Sequence, residues 1–288
     1  MAQPLQIITD TWGRWKAEQL NTSLFFTAST NYGPHGQLDN YHQYQVQVAN
    51  STIEYLDGQR SVLPGNSYYT YGKYINDTGV EQTTEFSRTE SSETKMLWSV
   101  TEAENLGVSV TVKVGKPGFV EGSATVERNI SLSETREESA SIVQQFSVHQ
   151  QAKCEPYTML EATYVLKTDK YKTPFVASTP LTGWVAVWFN DRVKISSGSG
   201  DHHLYFVPIQ NVFDECYKHG IINTDGYTKR SSSVVAHAQG EFSGGQGIDY
   251  FLKMKSIPLS GREEPREYVL DNVSVGIAEL DHGRMPPS

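Results

Sequence analysis

A mainly β fold of long antiparallel strands, preceded by one short helix, is what this sequence predicts. Three observations carry that reading. Apolar residues alternate with polar ones through "NLGVSVTVKVGKPGFVEGSATVERN" (105–129), which is the period of a strand with one covered face. The zone from Thr83 to Ser147 is rich in Ser, Thr and Val, and Pro117 is its only proline. A linker has no reason to keep period-two spacing, and β-branched residues favour strands. Helical spacing is confined to the start of the chain.

Taking the elements in order, Leu5, Ile8, Trp12 and Trp15 in "LQIITDTWGRWKAEQL" fall near helical spacing. They predict a short amphipathic helix, weakened by Gly13. "YQVQVANSTIEYL" (44–56) alternates like a strand, and "VLPGNSYYTYGKYINDTG" (62–79) reads as an aromatic loop region. Its tyrosines serve either a domain core or a recognition surface. Further strands are expected at "YTMLEATYVLK" (157–167) and "TGWVAVWF" (182–189). Two more flank the Gly/Ser turn of "VKISSGSGDHHLYFVPI", and another two flank a turn at "GGQG" (244–247).

Composition removes several classes of function. The 288 residues carry a formal net charge of -9, with 38% hydrophobic and 20% charged residues. Scattered basic residues on an acidic chain argue against nucleic acid as a partner. Apolar runs such as "GWVAVWF" (183–189) fall far short of the about 20 residues of a membrane helix. The opening residues lack the basic, apolar and small-residue segments of a secretory signal, so a water-soluble protein, stored or released by its producer, is expected. Cys154 and Cys216 read as isolated thiols or as a single pair. The sequons at Asn21, Asn50, Asn76, Asn129 and Asn272 read as chance products of a Ser/Thr-rich chain. There is no HExxH, GxSxG, CxxC or GxxxxGK[ST], and Asp201, His202 and His203 lack a second spaced set of metal ligands. Neither enzymatic activity nor a cofactor or metal is expected.

The valine-rich hairpin raises the functional question, because its apolar face suits either protein or lipid. Centred on Pro117, its register pairs Val114 with Val120, Val112 with Gly122, Val110 with Ala124 and Val108 with Val126, and sets Lys113 opposite Glu121. Leu106, Val108, Val110, Val112, Val114, Val120, Ala124 and Val126 then share one face. Ser109, Thr111, Lys113, Glu121, Ser123, Thr125 and Glu127 share the other, and Lys116, Pro117, Gly118 and Phe119 form the tip. From Leu106 to Val114 is about nine residues, against the about 9–11 that a tilted membrane strand needs. A lone hairpin cannot insert, because its edges would carry unpaired backbone groups into hydrocarbon. Copies from several protomers must close a barrel. The face is expected to pack on protein first and on lipid later.

The order of motifs resembles a known family. "INDTGVEQTTEFSRTESSETKMLWSV" (75–100) is followed by "LGVSVTVKVGKPGFVEGSATVERNISLSE" (106–134), "EPYTMLEATYVL" (155–166) and "VVAHAQGEFSGGQGIDYFLKMKSI" (234–257). Over about residues 66–260 this succession is similar to the aerolysin-type β-pore-forming toxins, in their epsilon-toxin and mosquitocidal-toxin branch. The resemblance implies an elongated architecture of about three discontinuous domains. Residues 1–80 with about 165–230 would form a receptor-binding head. Residues 81–150 with part of 231–250 would form a pore-forming middle with an insertion hairpin at 101–133. Residues 151–164 with about 250–280 would form a tail β-sandwich, and 281–288 a flexible end.

The same resemblance implies a toxin that binds a target-cell membrane through a protein or glycan receptor and oligomerises. It would insert one hairpin per protomer, with the apolar face on lipid and the polar face lining the lumen. The role implied is cytolytic or insecticidal, at the target-cell plasma membrane. The alternative is a lectin-like, storage or defence protein that keeps the fold without forming pores. Tyr68, Tyr69, Tyr71 and Tyr74, with Trp184, Trp188 and Tyr205 as neighbours, are the expected receptor surface, since aromatic side chains offer large contact area at little entropic cost. Arg262, Arg266 and Arg284 offer trypsin-type sites for activation.

Overall fold

The computed structural model describes residues 2–115, 117, 127–196, 198, 200–270 and 274–281, and the chain is mainly β with a short N-terminal helix. The order begins α1 (Leu5–Gln19), β1 (Leu24–Ala28), β2 (Gln47–Val48), β3 (Thr52–Tyr55), β4 (Ser61–Asn76) and β5 (Gln82–Glu102). It continues with β6 (Thr111–Gly115), β7 (Glu127–Ser131), β8 (Glu137–Cys154), β9 (Thr158–Thr182), β10 (Trp184–Val193) and β11 (His202–Pro208). The chain then passes through α2 (Ile209–His219), β12 (Tyr227–Lys229), β13 (Val234–Pro258), β14 (Arg266–Leu270) and β15 (Ser274–Asp281).

Two very long strands form the spine. β9 and β13 pair antiparallel from Leu181↔Val234 to Thr158↔Pro258, with one register shift between Gly247 and Asp249. At about 3.3 Å per residue that ladder runs roughly 80 Å. The outer edge of β9 is covered in succession by β2, β3 and β4. On the other side β13 pairs β5, β5 pairs β8 from Gln82↔Cys154 to Ser99↔Glu137, and β15 closes the edge of β8. The Ser/Thr-rich zone is therefore strand, as its alternation predicts. Where only a few strands form the sheet and water wets it, Ser and Thr satisfy the ladder without presenting an apolar face.

Four expectations need correction. The "GGQG" stretch lies inside β13 rather than in a turn. Nearby glycines are present for close approach: a Cβ on Gly240 would sit 2.2 Å from the Phe175 ring and 2.4 Å from the Ser99 carbonyl. The aromatic stretch of residues 62–79 is mostly strand, because Tyr and β-branched residues suit the exposed edge that β9 offers, and Pro64 falls where the register shifts. That strand runs along the Thr158 end of β9, so residues 61–76 lie with the tail-end strands rather than with β1 and β10. Helical structure also recurs after the first helix. In α2, Ile209, Val212, Phe213 and Cys216 are buried at helical spacing, between Pro208 at the N-cap and a left-handed Gly220.

Three hydrophobic clusters form among the described residues, the smallest of them Ala28, Tyr32, Leu38 and Ala186. At one end α1 and α2 pack with the three-stranded sheet β1-β10-β11. Trp12 donates to Glu215 at 2.7 Å, and Lys16 meets the other oxygen of the same carboxylate at 2.6 Å, tying the helices together. Gly13 is no weakness there, because a Cβ would press within 2.5 Å of Thr27. At the other end Phe86, Cys154, Leu160, Ala162, Tyr164, Leu252 and Met254 form a smaller core. Cys154 and Cys216 are both buried free thiols. Asn76 is fully buried and donates to the carbonyls of Val80, Cys154 and Glu155, so it is structural rather than a glycan acceptor.

The Gly240 contact gives a direct check. Gly240→Ala forces apart β5, β9 and β13 and is expected to cost roughly 1–3 kcal/mol. Gly58→Ala, with open space around its Cβ, is expected to stay within about 0.5 kcal/mol of the parent. Urea midpoints of the two variants measure the difference.

Candidate functional site

The valine-rich hairpin is folded away as its own two-stranded sheet, β6 with β7. Leu106, Val110, Val112, Val114, Ile130 and Leu132 are all at most 4% exposed and belong to the main core with Trp98, Phe175 and Phe242. Val108 packs on that core half-buried, while Ser109, Thr111 and Lys113 face water. Even-numbered side chains thus turn inward and odd-numbered ones outward from Val108 to Val114. Pro117 is buried. Lys116, Gly118, Phe119, Val120, Glu121, Ser123, Ala124, Thr125 and Val126 lie outside the described residues.

The pairing differs from the sequence reading. Thr111 pairs with Ser131, Val112 with Ile130, Lys113 with Asn129, Val114 with Arg128 and Gly115 with Glu127. The strands are thus slid by eight residues relative to a hairpin centred on Pro117, so that Val114 meets Arg128 in place of Val120. An even slide keeps each side chain on its own face, so alternation alone cannot tell the two registers apart. Ile130 and Leu132, absent from the expected face, are buried in the core beside Val112 and Val110. Lys113, set opposite Glu121 in the sequence register, instead forms an ion pair with Glu127 at 2.5 Å.

Specific polar contacts latch the hairpin to the body. Trp98 donates to the Tyr55 hydroxyl at 2.8 Å, and Tyr55 donates to the Gly115 carbonyl at 3.0 Å, so β5, β3 and β6 are joined by a short relay. Burial pushes the Tyr55 phenol up to about 12, which keeps it a donor. At the hairpin base the buried Thr30 hydroxyl donates to the Leu106 carbonyl at 2.5 Å, and the Leu5 amide donates to the Asn105 carbonyl at 2.9 Å. Between them lies Glu104, 2% exposed. Its amide donates to the Leu132 carbonyl, and its Oε1 accepts from Thr179 at 2.8 Å, while Oε2 is buried without a hydrogen-bond partner. In the sequence Glu104 reads only as the residue that interrupts the apolar face ahead of Leu106. The signal was present, since Glu104 continues the even-numbered apolar positions as a lone carboxylate.

The aromatic residues separate into two groups. Tyr69 and Tyr71 are 56% and 68% exposed on β4, near the Thr158 end of β9. Tyr74 is half-buried, and its hydroxyl donates to Gln82; the Tyr68 side chain lies outside what is described. Trp184 and Trp188 sit on β10, beyond the opposite end of β9. Roughly 60–70 Å of strand separates the groups, so they are not neighbours. Tyr205 closes the loop after β10 through bonds to Val193 and Gly200. The array that the sequence did not disclose surrounds Trp184 and Trp188: Phe25, Phe26, Tyr41, Tyr44 and Phe206, with ring centroids 5.1–6.4 Å apart. Phe25, Tyr41, Tyr44 and Trp184 are exposed. These residues lie in different segments and meet only through the pairing of β1, β10 and β11.

Among the described residues no group of three or more His, Cys, Asp or Glu side chains is placed to hold a metal ion, and no helix is long and apolar enough to cross a membrane. No family model matches the sequence. The chain is 32% identical over 253 residues to a cytotoxin of Pseudomonas aeruginosa, covering 85% of this chain and 86% of that one. Its fold is similar to that of the Mpp75Aa1.1 β-pore-forming protein from Brevibacillus laterosporus, with a TM-score of 0.70 and 18% identity over 97% of this chain and 98% of the other. A non-toxic crystal protein from Bacillus thuringiensis is also similar in fold, with a TM-score of 0.64 and 14% identity over 91% of this chain and 100% of the other.

Glu104 makes the latched hairpin sensitive to pH. Burial, partly offset by the Thr179 bond, raises its carboxyl from 4.5 to about 7. The folded chain therefore holds a proton that the unfolded chain releases, and the stability this provides is lost as pH rises from 4.5 through about 7. The neighbouring Tyr227 phenol is raised by its own burial and by the Glu104 charge, so it stays neutral over this range. A loss on the order of 3 kcal/mol is expected across the window. Glu104→Gln should abolish that slope in urea midpoints taken from pH 5 to 8, and an unchanged slope would exonerate the carboxyl.

Proposed function

This chain belongs to the aerolysin-like β-pore-forming toxins, a non-enzymatic family, and we propose that its pore forms when the hairpin of residues 101–133 leaves its latches and inserts. One copy from each protomer enters a shared β-barrel. The observation that supports this most is the valine face: a separate small sheet, buried against the body yet held at its ends by a few hydrogen bonds. The target is a cell surface with a protein or glycan receptor, engaged through the exposed aromatic array around Trp184, and the outcome is cytolysis.

Insertion requires the hairpin to be rebuilt. β6 and β7 have five residues each, about half of what a membrane strand needs. Residues 106–110 must straighten, including Gly107, now at φ 75°; without a Cβ it makes that change without steric penalty. The present register also sets Arg128 opposite Val114 on the apolar face. An arginine on lipid at mid-membrane costs about 2–4 kcal/mol. Sliding to the register centred on Pro117 moves Arg128 opposite Leu106, at the interface, where its side chain can snorkel. We therefore assign the Pro117-centred pairing to the inserted state.

Oligomerisation needs free strand edges. β15 occupies the edge of β8 from Ile142 to His149, and Arg262, exposed in the connection after β13, is a site where trimming would release it. The second reading is a binding protein that keeps the fold without a pore, favoured by the non-toxic B. thuringiensis protein of similar fold.

Dye release from target-cell vesicles separates the two readings, since a pure binder leaves vesicles sealed. A disulfide between Thr111→Cys and Ser131→Cys, directly paired and outward-facing, freezes the present register. Oxidised protein should bind cells but release no dye until reduced. Release at the parental rate while oxidised would mean that the hairpin inserts without sliding.

Ion selectivity reports on the same slide. In the inserted register Lys113 opposes Glu121 and the two largely cancel, while Glu127 faces Gly107 and leaves about one negative charge per protomer in the lumen. Planar-bilayer reversal potentials should show a cation preference that disappears in Glu127→Gln and fades near 1 M salt, where the Debye length is about 3 Å. Anion preference in the unmodified protein would overturn that pairing.

A further inference from the structure

A cleft of about 750 Å³ opens between α1, β1 and the base of the hairpin. Phe25 stands in its wall because the β1–β10 register shifts between Leu24 and Phe26, leaving Phe25 as the extra residue of a bulge. Bulges re-aim side chains and recur beside functional sites. Here the bulge leaves a phenyl ring 56% exposed. Behind it Phe26 stacks on His35, with centroids 4.0 Å apart and planes 9° apart, and packs on Trp188 at 5.8 Å. The aromatic wall is thus braced from within the sheet.

Polar groups line the rest. Oδ1 of Asp10 accepts from Gln6 at 2.8 Å and from Thr27, which leaves Oδ2 to accept from a ligand. Asn31 accepts from the Gly33 amide through Oδ1, which leaves its Nδ2 to donate. Arg14 is exposed, and no ion pair engages it among the described residues. One acid and one base leave the cleft without strong net charge. A single carboxylate is too few to hold a metal, and a single arginine beside that carboxylate is poorly suited to a phosphate. An aromatic face flanked by separate donors and acceptors matches one chemistry well: a ring with an apolar CH face and a rim of hydroxyls.

We propose that this cleft binds an uncharged sugar ring, a hexose or N-acetylhexosamine residue of a cell-surface glycan. The proposal rests on the reading that the end of the molecule around β1 and β10 carries recognition, and it adds the ligand class and the residues. Phe25 stacks on the ring, Arg14 and Asn31 donate to hydroxyls, and Asp10 accepts from them. The wall opposite Asp10 and Arg14 includes Thr30, Leu106 and Gly107, the segment whose carbonyl the Thr30 hydroxyl holds. A sugar seated there contacts the hairpin only while it is stowed, so it stabilises that state by mass action.

The test uses the full-length protein with the methyl glycosides of glucose, galactose, mannose, N-acetylglucosamine and N-acetylgalactosamine, and with N-acetylneuraminic acid. Saturation-transfer NMR reads binding and thermal unfolding reads linkage. At least one uncharged sugar should bind and raise Tm. Phe25→Ala and Arg14→Ala should each weaken it about tenfold while leaving the ligand-free Tm unchanged, as expected for exposed side chains. Binding by none of the sugars, binding by N-acetylneuraminic acid alone, or full binding in both variants would overturn the assignment. Vesicle dye release keeps the two ideas separate. If sugars bind as described but the parent never releases dye, the pore reading fails alone. If Phe25→Ala attaches to cells and releases dye at parental levels, the cleft proposal fails alone.

Discussion

Val110, Val112 and Val114, with Ile130 and Leu132 beside them, present an apolar face that has to be covered in every state the chain visits. In the stowed state the cover is the protein's own core, through Trp98, Phe175 and Phe242. Burying five such side chains contributes on the order of 10 kcal/mol, whereas each latching hydrogen bond adds only about 0.5–1.5 kcal/mol net. The core therefore holds the hairpin, and the latches set where it sits. That ordering accounts for the placement of the polar contacts. Tyr55 grips the Gly115 end, Thr30 and Glu104 grip the base, and the middle of the stripe depends on packing alone.

The long strands supply the frame against which this exchange occurs. β9 and β13 pair over almost their whole lengths, so the end around β1 and β10 and the smaller core at the other end are joined by one hydrogen-bonded ladder. Displacing the hairpin exposes one side of this frame without cutting it. β5 and β8, which flank the hairpin in sequence, are already paired with each other from Gln82 to Ser99. In the insertion proposed above, freed residues on either side of the hairpin would continue from that existing pair, with an irregularity of two residues between its register and the Pro117-centred one.

Much of this was legible in the sequence because period-two alternation is a backbone property that any environment preserves. The valine face, its polar reverse and the Ser/Thr-rich strands could all be read that way, and motif order pointed to the family. What escaped has definite physical causes. The register escaped because a slide of eight residues, like any even slide, conserves both faces, so tertiary burial of Ile130 and Leu132 is what points to the observed pairing. The helix at Ile209–His219 was readable from its spacing and its Pro208 and Gly220 boundaries, but a composition dominated by strands obscured it. "GGQG" looked like a turn because glycine marks turns and tight contacts alike. The aromatic array around Trp184 depends on strand pairings between segments far apart in the chain, and nothing local in the sequence announces it.

The same stripe suits both protein and lipid because hydrocarbon is about as apolar as a leucine side chain. Moving valines from core to bilayer therefore changes their free energy little, and the large hydrophobic term nearly cancels between the two states. Smaller terms would then govern the insertion proposed above. Edge hydrogen bonds oppose it until copies assemble, since each unpaired group in the bilayer costs several kcal/mol. Arg128 opposes it in the stowed register and ceases to do so after the slide. Glu104 opposes it while protonated and bound to Thr179, and favours it once ionised, because a buried carboxylate with one unpartnered oxygen gains by reaching water. A molecule arranged this way stays closed without great stability in the hairpin itself. On the proposed reading, release would be controlled at the base and the tip, where a few polar groups hold the hairpin.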